Sequence, residues 1–449
     1  MTTSFANIRL KPLAALAVAL LPTLLLGACA TTDEPAPVRP APGSIVENPA
    51  PPIAPRPAET DPVTEVPDET DARAPAGPAS DIRQGVAPAH LAGRDVNRLA
   101  LLLPLGSDNP RLREEAASML QAAQLALFQR DDDDTVLIVL DSGGTEASAR
   151  TAAQSAVAQG ADVILGPVLA NAVRGAARAA APENVPVIAF STDQSVAGGG
   201  TYLLSFPPEA EVARIVDYAA SEGVSNFAII GPDNPYGRRV SEAYSGAVAR
   251  AGGRITIAQS YGSADINVMQ IPAQRLAEFY REGERATGGR GKQAFEAVLL
   301  PEGGTALRSL APLLPFYNSS MNRVQVLGTA LWMQGDVVRE PALEGGLFAG
   351  PDPEPRETFE AAYERVYGTD PSRLASLAFD AVSVGTTIAM GDPATRRFRA
   401  EDPAGFYGAD GFVRFDTLGR PLRGLAVYEV RGGTVRVVDP APRSALGVN

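Results

Sequence analysis

The sequence predicts an α/β protein with two lobes, each built around a mostly parallel sheet, and three observations support this prediction. Beyond residue 95, apolar runs of strand length alternate with amphipathic segments of helical period, which is typical of βαβ units. The apolar runs are continuous, as expected for strands that are covered on both faces. The alternation also occurs in two successive sets, which indicates two Rossmann-like lobes.

The first set predicts four strands and three helices. One helix covers residues 111–129, the second begins near Thr145, and the third begins after Pro167. The second set predicts four more, followed by a strand at 343–349 and helices at 357–367 and 371–390. The last stretch alternates polar and apolar residues between Gly-rich turns, which indicates antiparallel hairpins. The predicted strands lie within residues 98–106, 135–144, 161–167 and 185–191, and then within 226–237, 254–261, 294–304 and 324–333.

The first 28 residues are typical of a secretory signal. A basic segment precedes an apolar run from Pro12 to Leu26, which is short for a membrane span. The run ends in Leu-Gly-Ala-Cys29, which resembles the bacterial lipoprotein box. This resemblance implies that residues 1–28 are removed and that acyl chains on Cys29 anchor the protein in a membrane. The next residue is Ala30. An aspartate at this position would resemble a signal for retention in the inner membrane, so we expect the protein in the outer membrane. The alternative to a lipoprotein box is an ordinary signal peptide with a chance cysteine.

Residues 29–94 are rich in proline, acidic and small residues and have no hydrophobic period. Such a segment cannot repay its ordering entropy, so we predict a disordered, partly polyproline linker. Some sixty residues could reach on the order of 200 Å if fully extended. The linker is either a spacer from the lipid surface or a reach across the cell-wall layer toward a partner.

The overall composition excludes several classes of function. A formal net charge of −13 argues against a nucleic-acid-binding surface. One cysteine and one histidine, His90 in the linker, exclude a disulfide framework and most zinc chemistry. We therefore expect no metal and no cofactor.

Catalytic chemistry is also disfavoured. The sequence has no GxxxxGK[ST] phosphate loop, and the predicted globular part has no histidine for a Ser-His-Asp triad. Carboxylates such as Asp141 and Asp380 follow no pattern that would identify an acid–base pair. We therefore predict a non-enzyme with no catalytic residues.

Ligands of open parallel sheets bind at the carboxyl ends of the strands. A tight turn that requires glycine is the alternative role for most of the residues there. Tyr236 is distinctive because an aromatic side chain at a strand end could cover a ligand when two lobes close, although packing between the lobes would also explain it. The candidates are Gly106, Ser107, Gly166, Pro167, Ser191 and Thr192 in the first lobe, and Tyr236, Glu302 and Gly328 in the second.

Several segments together resemble the type 1 periplasmic binding proteins of the leucine-binding branch. They include LLLPLGSDNPRLREEAASMLQAAQLAL, DSGGTEASARTAAQ, ILGPVLANAV, IIGPDNPYGRRVSEAY and GADGFVRFDTLGRPLRGLAVYEV. With the lipoprotein box and the linker, the chain is most similar to penicillin-binding protein activator lipoproteins, whose main domain has this fold.

The resemblance implies a domain at 95–440 whose two lobes are joined by three crossovers. The first lobe would comprise about 95–206 and 340–392, and the second about 207–339 and 400–440. In amino-acid binders of this branch, a serine or threonine after the third strand holds the ligand carboxylate. Here the matching stretch, Val168 to Asn171, has no hydroxyl, whereas Ser191, Thr192 and Tyr236 match other ligand contacts.

Two main hypotheses follow. The first is an outer-membrane lipoprotein that activates a peptidoglycan synthase, a penicillin-binding protein, and it accounts for the lipid, the linker and the altered ligand site together. The second is a lipid-anchored receptor that delivers an amino acid or related small molecule to an ABC uptake system. A structural lipoprotein with an inactive cleft is a third, minor hypothesis.

Overall fold

The computed structural model describes residues 94–130, 134–288, 294–333 and 336–445. Cys29, the predicted signal and the predicted linker up to residue 93 lie outside these ranges. The strands are β1 Asn97–Leu103, β2 Thr135–Asp141, β3 Val163–Leu165, β4 Val187–Ala189, β5 Thr201–Leu203, β6 Asn226–Pro232, β7 Arg254–Tyr261, β8 Ala297–Leu299, β9 Gln325–Gly328, β10 Leu347–Gly350, β11 Phe406–Gly408, β12 Gly411–Phe415, β13 Pro421–Arg423, β14 Ala426–Arg431 and β15 Thr434–Asp439.

The α-helices are mostly interleaved with the strands, as the sequence pattern predicts. They are α1 Pro110–Gln129, α2 Glu146–Ala158, α3 Ala170–Ala180, α4 Pro208–Ser221, α5 Pro235–Arg250, α6 Ile266–Ala286, α7 Gly304–Leu310, α8 Leu313–Tyr317, α9 Pro353–Tyr367, α10 Ala375–Ala389 and α11 Arg396–Ala400.

The first lobe contains a five-stranded parallel sheet in the order β2-β1-β3-β4-β5. Apolar cores cover both faces, one including α1 and α10 and the other α2 and α3. Helix α10 lies close to the sheet because Gly385 has no side chain, and a Cβ there would lie 2.8 Å from Leu165 and 3.3 Å from Leu99. The predicted parallel α/β lobe is confirmed.

The second lobe contains a seven-stranded sheet in the order β15-β14-β10-β9-β8-β6-β7. Strands β10, β9, β8, β6 and β7 are parallel to one another, whereas β14 and β15 form an antiparallel hairpin beside β10. The predicted hairpin near the end of the chain is therefore present at the edge of this sheet. Apolar cores again lie on both faces.

The structure corrects the expected lobe boundaries at two places. Residues 340–350 do not lie in the first lobe, because β10 pairs with β9 and β14 in the second sheet. Residues 400–423 do not lie in the second lobe, because Val413 and Phe415 of β12 pack into the core of the first. The chain thus returns to the first lobe after Gly350 and crosses for the last time between β13 and β14.

A buried cluster of charged side chains lies beside the three crossovers. Arg423 is 5% exposed; its Nε donates to the carbonyl of Ser205, 3.0 Å away, and its guanidinium lies 4.0 Å from the ring centroid of Phe206. Ser205 and Phe206 form the first crossover, and Arg423 begins the third. One side chain thus connects two of the three crossovers.

Two carboxylates and a second arginine complete this crossover cluster. Asp380 of α10 accepts the backbone N–H groups of Ala409 and Asp410 at 2.6 and 3.2 Å. Arg356, on the helix that follows the second crossover, contacts the Asp410 carboxylate at 2.7 Å. Burial, reinforced by the charge of Asp410, raises the pKa of Asp380 to about 7, and Arg423 opposes this rise.

We expect Arg423→Met to destabilise the fold by about 3 kcal/mol, because it removes a buried cation and leaves two buried carboxylates with one arginine. Arg420→Met, at an exposed position in the same hairpin, should cost less than about 0.5 kcal/mol. Urea unfolding of both variants measures the difference. Equal free energies of unfolding for the two variants would show that the crossover cluster does not stabilise the fold.

Candidate functional site

The carboxyl ends of the two parallel sheets meet at one contact between the lobes. Arg239 of α5 donates from Nη2 to the carbonyl of Thr192 in the first lobe, 2.5 Å away. The same Nη2 lies 2.8 Å from a carboxylate oxygen of Glu209 in the second lobe. Because parallel strands end at a common edge, this contact places the ends of β4 and β6 on opposite walls of one interlobe cleft.

Two candidate glycines of the first wall are explained by close backbone packing. Gly106 would place a Cβ 2.3 Å from a carboxylate oxygen of Asp141, which ends the adjacent strand β2. Gly166 has a φ of +92° and would place a Cβ 2.3 Å from the Leu102 carbonyl oxygen. The following Pro167 is buried, and its carbonyl accepts the N–H of Phe190. Packing therefore accounts for these glycines without a ligand.

The candidate hydroxyls of the first wall are engaged by the backbone of their own loops. The Oγ of Ser107 accepts the N–H of Asn109 at 3.3 Å, and the Oγ of Ser191 accepts the N–H of Asp193 at 3.2 Å. Both serines are buried, whereas the Thr192 residue is exposed. At the start of α3, Leu169 occupies the N-cap position and makes no side-chain cap hydrogen bond. Within the first turn, Oδ1 of Asn171 accepts the N–H of Ala172 at 2.9 Å, so an amide, and not a hydroxyl, is the side chain that contacts the backbone at this turn.

Tyr236 and Gly328 lie on the second wall and serve its internal packing. The Tyr236 hydroxyl lies 3.1 Å from Oγ1 of Thr329, a fully buried residue. Gly328 would place a Cβ 2.1 Å from the indole of Trp332, so only glycine fits beneath that ring. Tyr236 is half-buried and therefore retains some solvent-accessible surface.

Glu302 follows β8 and pairs with a tyrosine from the end of β7. The Tyr261 hydroxyl donates to Oε1 of Glu302 at 3.0 Å, and the N–H of Gly303 donates to Oε2 at 3.3 Å. Burial raises the pKa of Glu302, while these two hydrogen bonds oppose the rise. A half-buried carboxylate with spare lone pairs can accept further hydrogen bonds from a donor or cationic group.

Glu211 is a buried acidic residue of the cleft base that the sequence analysis did not single out. It lies in the first turn of α4 and accepts the backbone N–H of Ala330 at 2.9 Å. Burial raises its pKa to about 7, and the Ala330 hydrogen bond and the charge of Arg373 only partly oppose this. A signal was present in the sequence, because Glu211 shares the buried stripe of Val212, Ile215 and Ala219.

The assembled site contains hydrogen-bonding groups suited to binding. Ser107, Ser191 and Glu211 accept backbone N–H groups, whereas Tyr236 contacts Thr329 and Tyr261 contacts Glu302. Within the described ranges, no three His, Cys, Asp or Glu side chains are placed to hold a metal ion. Among the helices that the structure describes, none is long and apolar enough to cross a membrane.

Glu211 should make stability depend on pH. Its folded pKa of about 7 lies above its ordinary value of 4.5, so the native state binds the extra proton and this contribution is lost as pH rises through that window. We expect the melting temperature of the wild type to fall more steeply between pH 5 and 8 than that of Glu211→Gln. Thermal unfolding at several pH values measures this.

The matched control is Glu222→Gln, at the exposed end of the same helix. Its pH profile should follow that of the wild type. Parallel profiles for all three proteins would show that Glu211 is not protonated preferentially in the folded state.

Comparisons with known proteins agree with this architecture. The family model described as "Periplasmic binding protein" matches residues 98–272. The crystal structure of a putative branched-chain amino acid ABC transporter from Rhodospirillum rubrum is similar, with a TM-score of 0.64, 18% identity, and coverage of 76% of this chain and 100% of that one. The described chain therefore has the fold of the type 1 periplasmic binding proteins, as predicted.

Two further solved structures were obtained with ligands. One is an ABC transporter substrate-binding protein from Desulfitobacterium hafniense in complex with Leu, with a TM-score of 0.54, 17% identity, and coverage of 76% and 99%. The other is a solute-binding protein from R. palustris in complex with benzoate, with a TM-score of 0.53, 14% identity, and coverage of 78% and 97%. At these identities the likeness concerns the fold alone.

One curated relative has a different role. The penicillin-binding protein activator LpoA of Haemophilus ducreyi is 26% identical over 151 residues, which is 33% of this chain. The match spans about a quarter (24%) of that relative's length.

Proposed function

We propose that this chain is a periplasmic lipoprotein of the outer membrane whose two-lobed domain binds and activates a peptidoglycan synthase of the penicillin-binding protein class. The match to a penicillin-binding protein activator supports this assignment. The lipoprotein box and the proline-rich linker support it further, because a lipid anchor and a long reach suit a partner embedded in another membrane.

The observation that carries the proposal is that polar groups of the cleft form hydrogen bonds with other groups of the protein. Tyr236 contacts Thr329, Tyr261 contacts Glu302, and the Thr192 carbonyl accepts from Arg239. The α3 turn, where a carboxylate ligand would need hydroxyl donors, has none. A cleft whose polar groups contact one another suits a scaffold that presents its outer surface to a protein.

We expect the mature chain to capture a cognate bifunctional penicillin-binding protein and to raise its rate of glycan polymerisation or peptide crosslinking. Pull-down and a peptidoglycan synthesis assay with purified proteins measure both effects. Unchanged rates of synthesis by the penicillin-binding protein at saturating concentrations of the mature chain would disprove the proposal.

A variant with a shortened linker tests separately whether the domain must reach across the wall layer. In cells, deleting about half of the linker while keeping Cys29 should abolish activation, because the domain could no longer cross the wall layer. Replacing the deleted part with a Gly/Ser segment of equal length restores reach and is the control. Loss of activation in both variants would point to the linker sequence rather than to its length.

A solute receptor is the second candidate function, and Glu302 is the observation that favours it. Its half-buried carboxylate retains acceptor capacity for an ammonium group, and Leu169, the N-cap residue of α3, makes no side-chain cap hydrogen bond. A solved structure of the same fold was obtained with leucine.

The chain's single tryptophan separates the two candidates. Trp332 packs against Gly328 at the end of β9, so a ligand that binds in the cleft should change its emission. The regulator proposal predicts no saturable change with any amino acid or amide, and no rise in melting temperature. A saturable change that is lost in Glu302→Gln, but kept in the exposed α6 variant Glu282→Gln, would replace the regulator with a receptor.

A further inference from the structure

Strand β2 is an edge strand without the features that normally protect such strands. The edges of the two large sheets are β2 and β5 in the first lobe and β7 and β15 in the second. Proteins protect edges with charged residues, prolines, bulges or very short strands, because unpaired backbone groups can pair with another chain. In β2, residues 136–140 are all apolar and include no proline, and the strand pairs with β1 without a register shift.

The other three edges are better protected. Strand β5 has only three residues, and the N–H of Leu203 already donates to the carbonyl of Gly419 at 2.9 Å. Strands β7 and β15 each pair with their neighbour through a register shift, and β15 also carries Arg436 and Asp439. Among the described edges of these two sheets, β2 is therefore the one most open to pairing with a further strand.

The ladder between β1 and β2 shows which backbone groups of β2 point outward. The N–H of Asn97 donates to the carbonyl of Asp134 at 2.6 Å, and the N–H of Ser142 donates to the carbonyl of Leu103 at 2.8 Å. Because backbone groups alternate in direction along a strand, the even-numbered residues of β2 face β1, and the N–H and C=O groups of the odd-numbered residues point away from the sheet. These odd-numbered residues are Thr135, Leu137, Val139 and Asp141.

The side chains of β2 add an apolar surface to this edge. Ile138 is buried in the core that includes α2 and α3, which holds the strand in place. Val139 is 39% exposed, and Leu137 and Leu140 are half-buried. When an extended segment is added to a sheet edge, main-chain hydrogen bonds supply affinity and alternate side chains supply specificity. The β2 edge offers both kinds of contact.

Acidic residues at both ends of β2 indicate the charge of the occupant. The sequence has four consecutive aspartates at 131–134, directly before the strand, and the exposed Asp141 ends it. A second copy of this chain is disfavoured, because antiparallel pairing of two β2 strands would place the aspartates of one copy beside Asp141 of the other. A segment with an apolar centre and basic ends is complementary to this edge.

We propose that the β2 edge is a docking site for an extended segment of a partner protein, with alternating apolar residues at its centre and basic residues at its ends. The segment adds a sixth strand to the five-stranded sheet and forms hydrogen bonds with the outward backbone groups of Leu137 and Val139. Its basic ends lie near Asp141 and near the aspartates before the strand. This surface goes beyond the proposed activator function and does not depend on it.

Two synthetic peptides test the site on the mature chain carrying Cys29→Ser, which is not lipidated. Both have the core Thr-Val-Thr-Val-Thr-Val-Thr, flanked at each end by two lysines in one peptide and by two glutamates in the other. We expect the basic peptide to bind saturably and to slow hydrogen exchange of the Leu137 and Val139 amides, followed by NMR. The amides of Ile138 and Leu140, which face β1, should change little. The acidic peptide should bind about tenfold more weakly at low salt.

Variants of the edge locate the binding. Val139→Pro removes an outward N–H but no hydrogen bond to β1, so it should abolish binding of the basic peptide, whereas Val139→Thr keeps the N–H and should retain binding. Asp141→Asn should weaken binding by about two- to fivefold, because an exposed ion pair contributes little. Glu242→Gln, at an exposed position on α5 of the second lobe, is the matched control and should leave binding unchanged.

If Val139→Pro does not fold, Val139→Lys replaces it, because a cation at the centre of the edge repels the basic peptide; it should weaken binding by about fivefold. The absence of saturable binding at millimolar peptide would overturn the proposal. Equal binding of the basic and acidic peptides would overturn it as well. Slowed exchange of the Leu137 and Val139 amides on raising the protein concentration without peptide would identify a second copy as the occupant and reject a partner protein.

Discussion

The buried ionic cluster at the crossovers is the constraint on which the geometry of this domain depends. Arg423 reaches from the third crossover to the carbonyl of Ser205 in the first, and Arg356 and Asp410 connect the region after the second. The Tyr428 hydroxyl also donates to the carbonyl of Pro351 at 2.5 Å. Because the crossovers are the covalent connections between the lobes, contacts that fix them also fix the angle between the two sheet edges.

The arrangement of the crossovers also determines which groups lie at the base of the cleft. Helix α4 begins directly after the first crossover, so Glu211 lies at the base of the cleft, where it holds the Ala330 loop. That loop in turn positions Thr329 opposite Tyr236. Glu211, Thr329 and Tyr236 are thus each held by a neighbour in the protein.

Much of this fold was accessible from the sequence. Continuous apolar runs such as Leu99–Leu103 identify buried parallel strands, and the alternation with helices predicts two α/β lobes. The assignment of β10 was not accessible, because a four-residue apolar strand can pair in either sheet and only tertiary contacts decide which. The same holds for the crossover cluster, whose members Asp380 and Arg423 lie 43 positions apart in the numbering.

The candidate site was predicted by position rather than by role. The rule that ligands bind at strand ends identified Tyr236 and Glu302, but it could not distinguish them from Gly166 or Gly328, where backbone or indole packing explains the residue. Glu211 was missed although it lies in register with an apolar helical stripe, because that register is a weak signal and only the burial of the carboxylate in the structure identifies it.

The return of the chain to each lobe has a consequence for folding. The first lobe completes its core only with α10 and β12, and the second completes its sheet only with β14 and β15. Contacts of such large sequence separation form slowly, and neither lobe has its full core until nearly the whole chain has been synthesised. The two lobes should therefore fold and unfold as one cooperative unit, and a truncation near residue 400 would disable both at once.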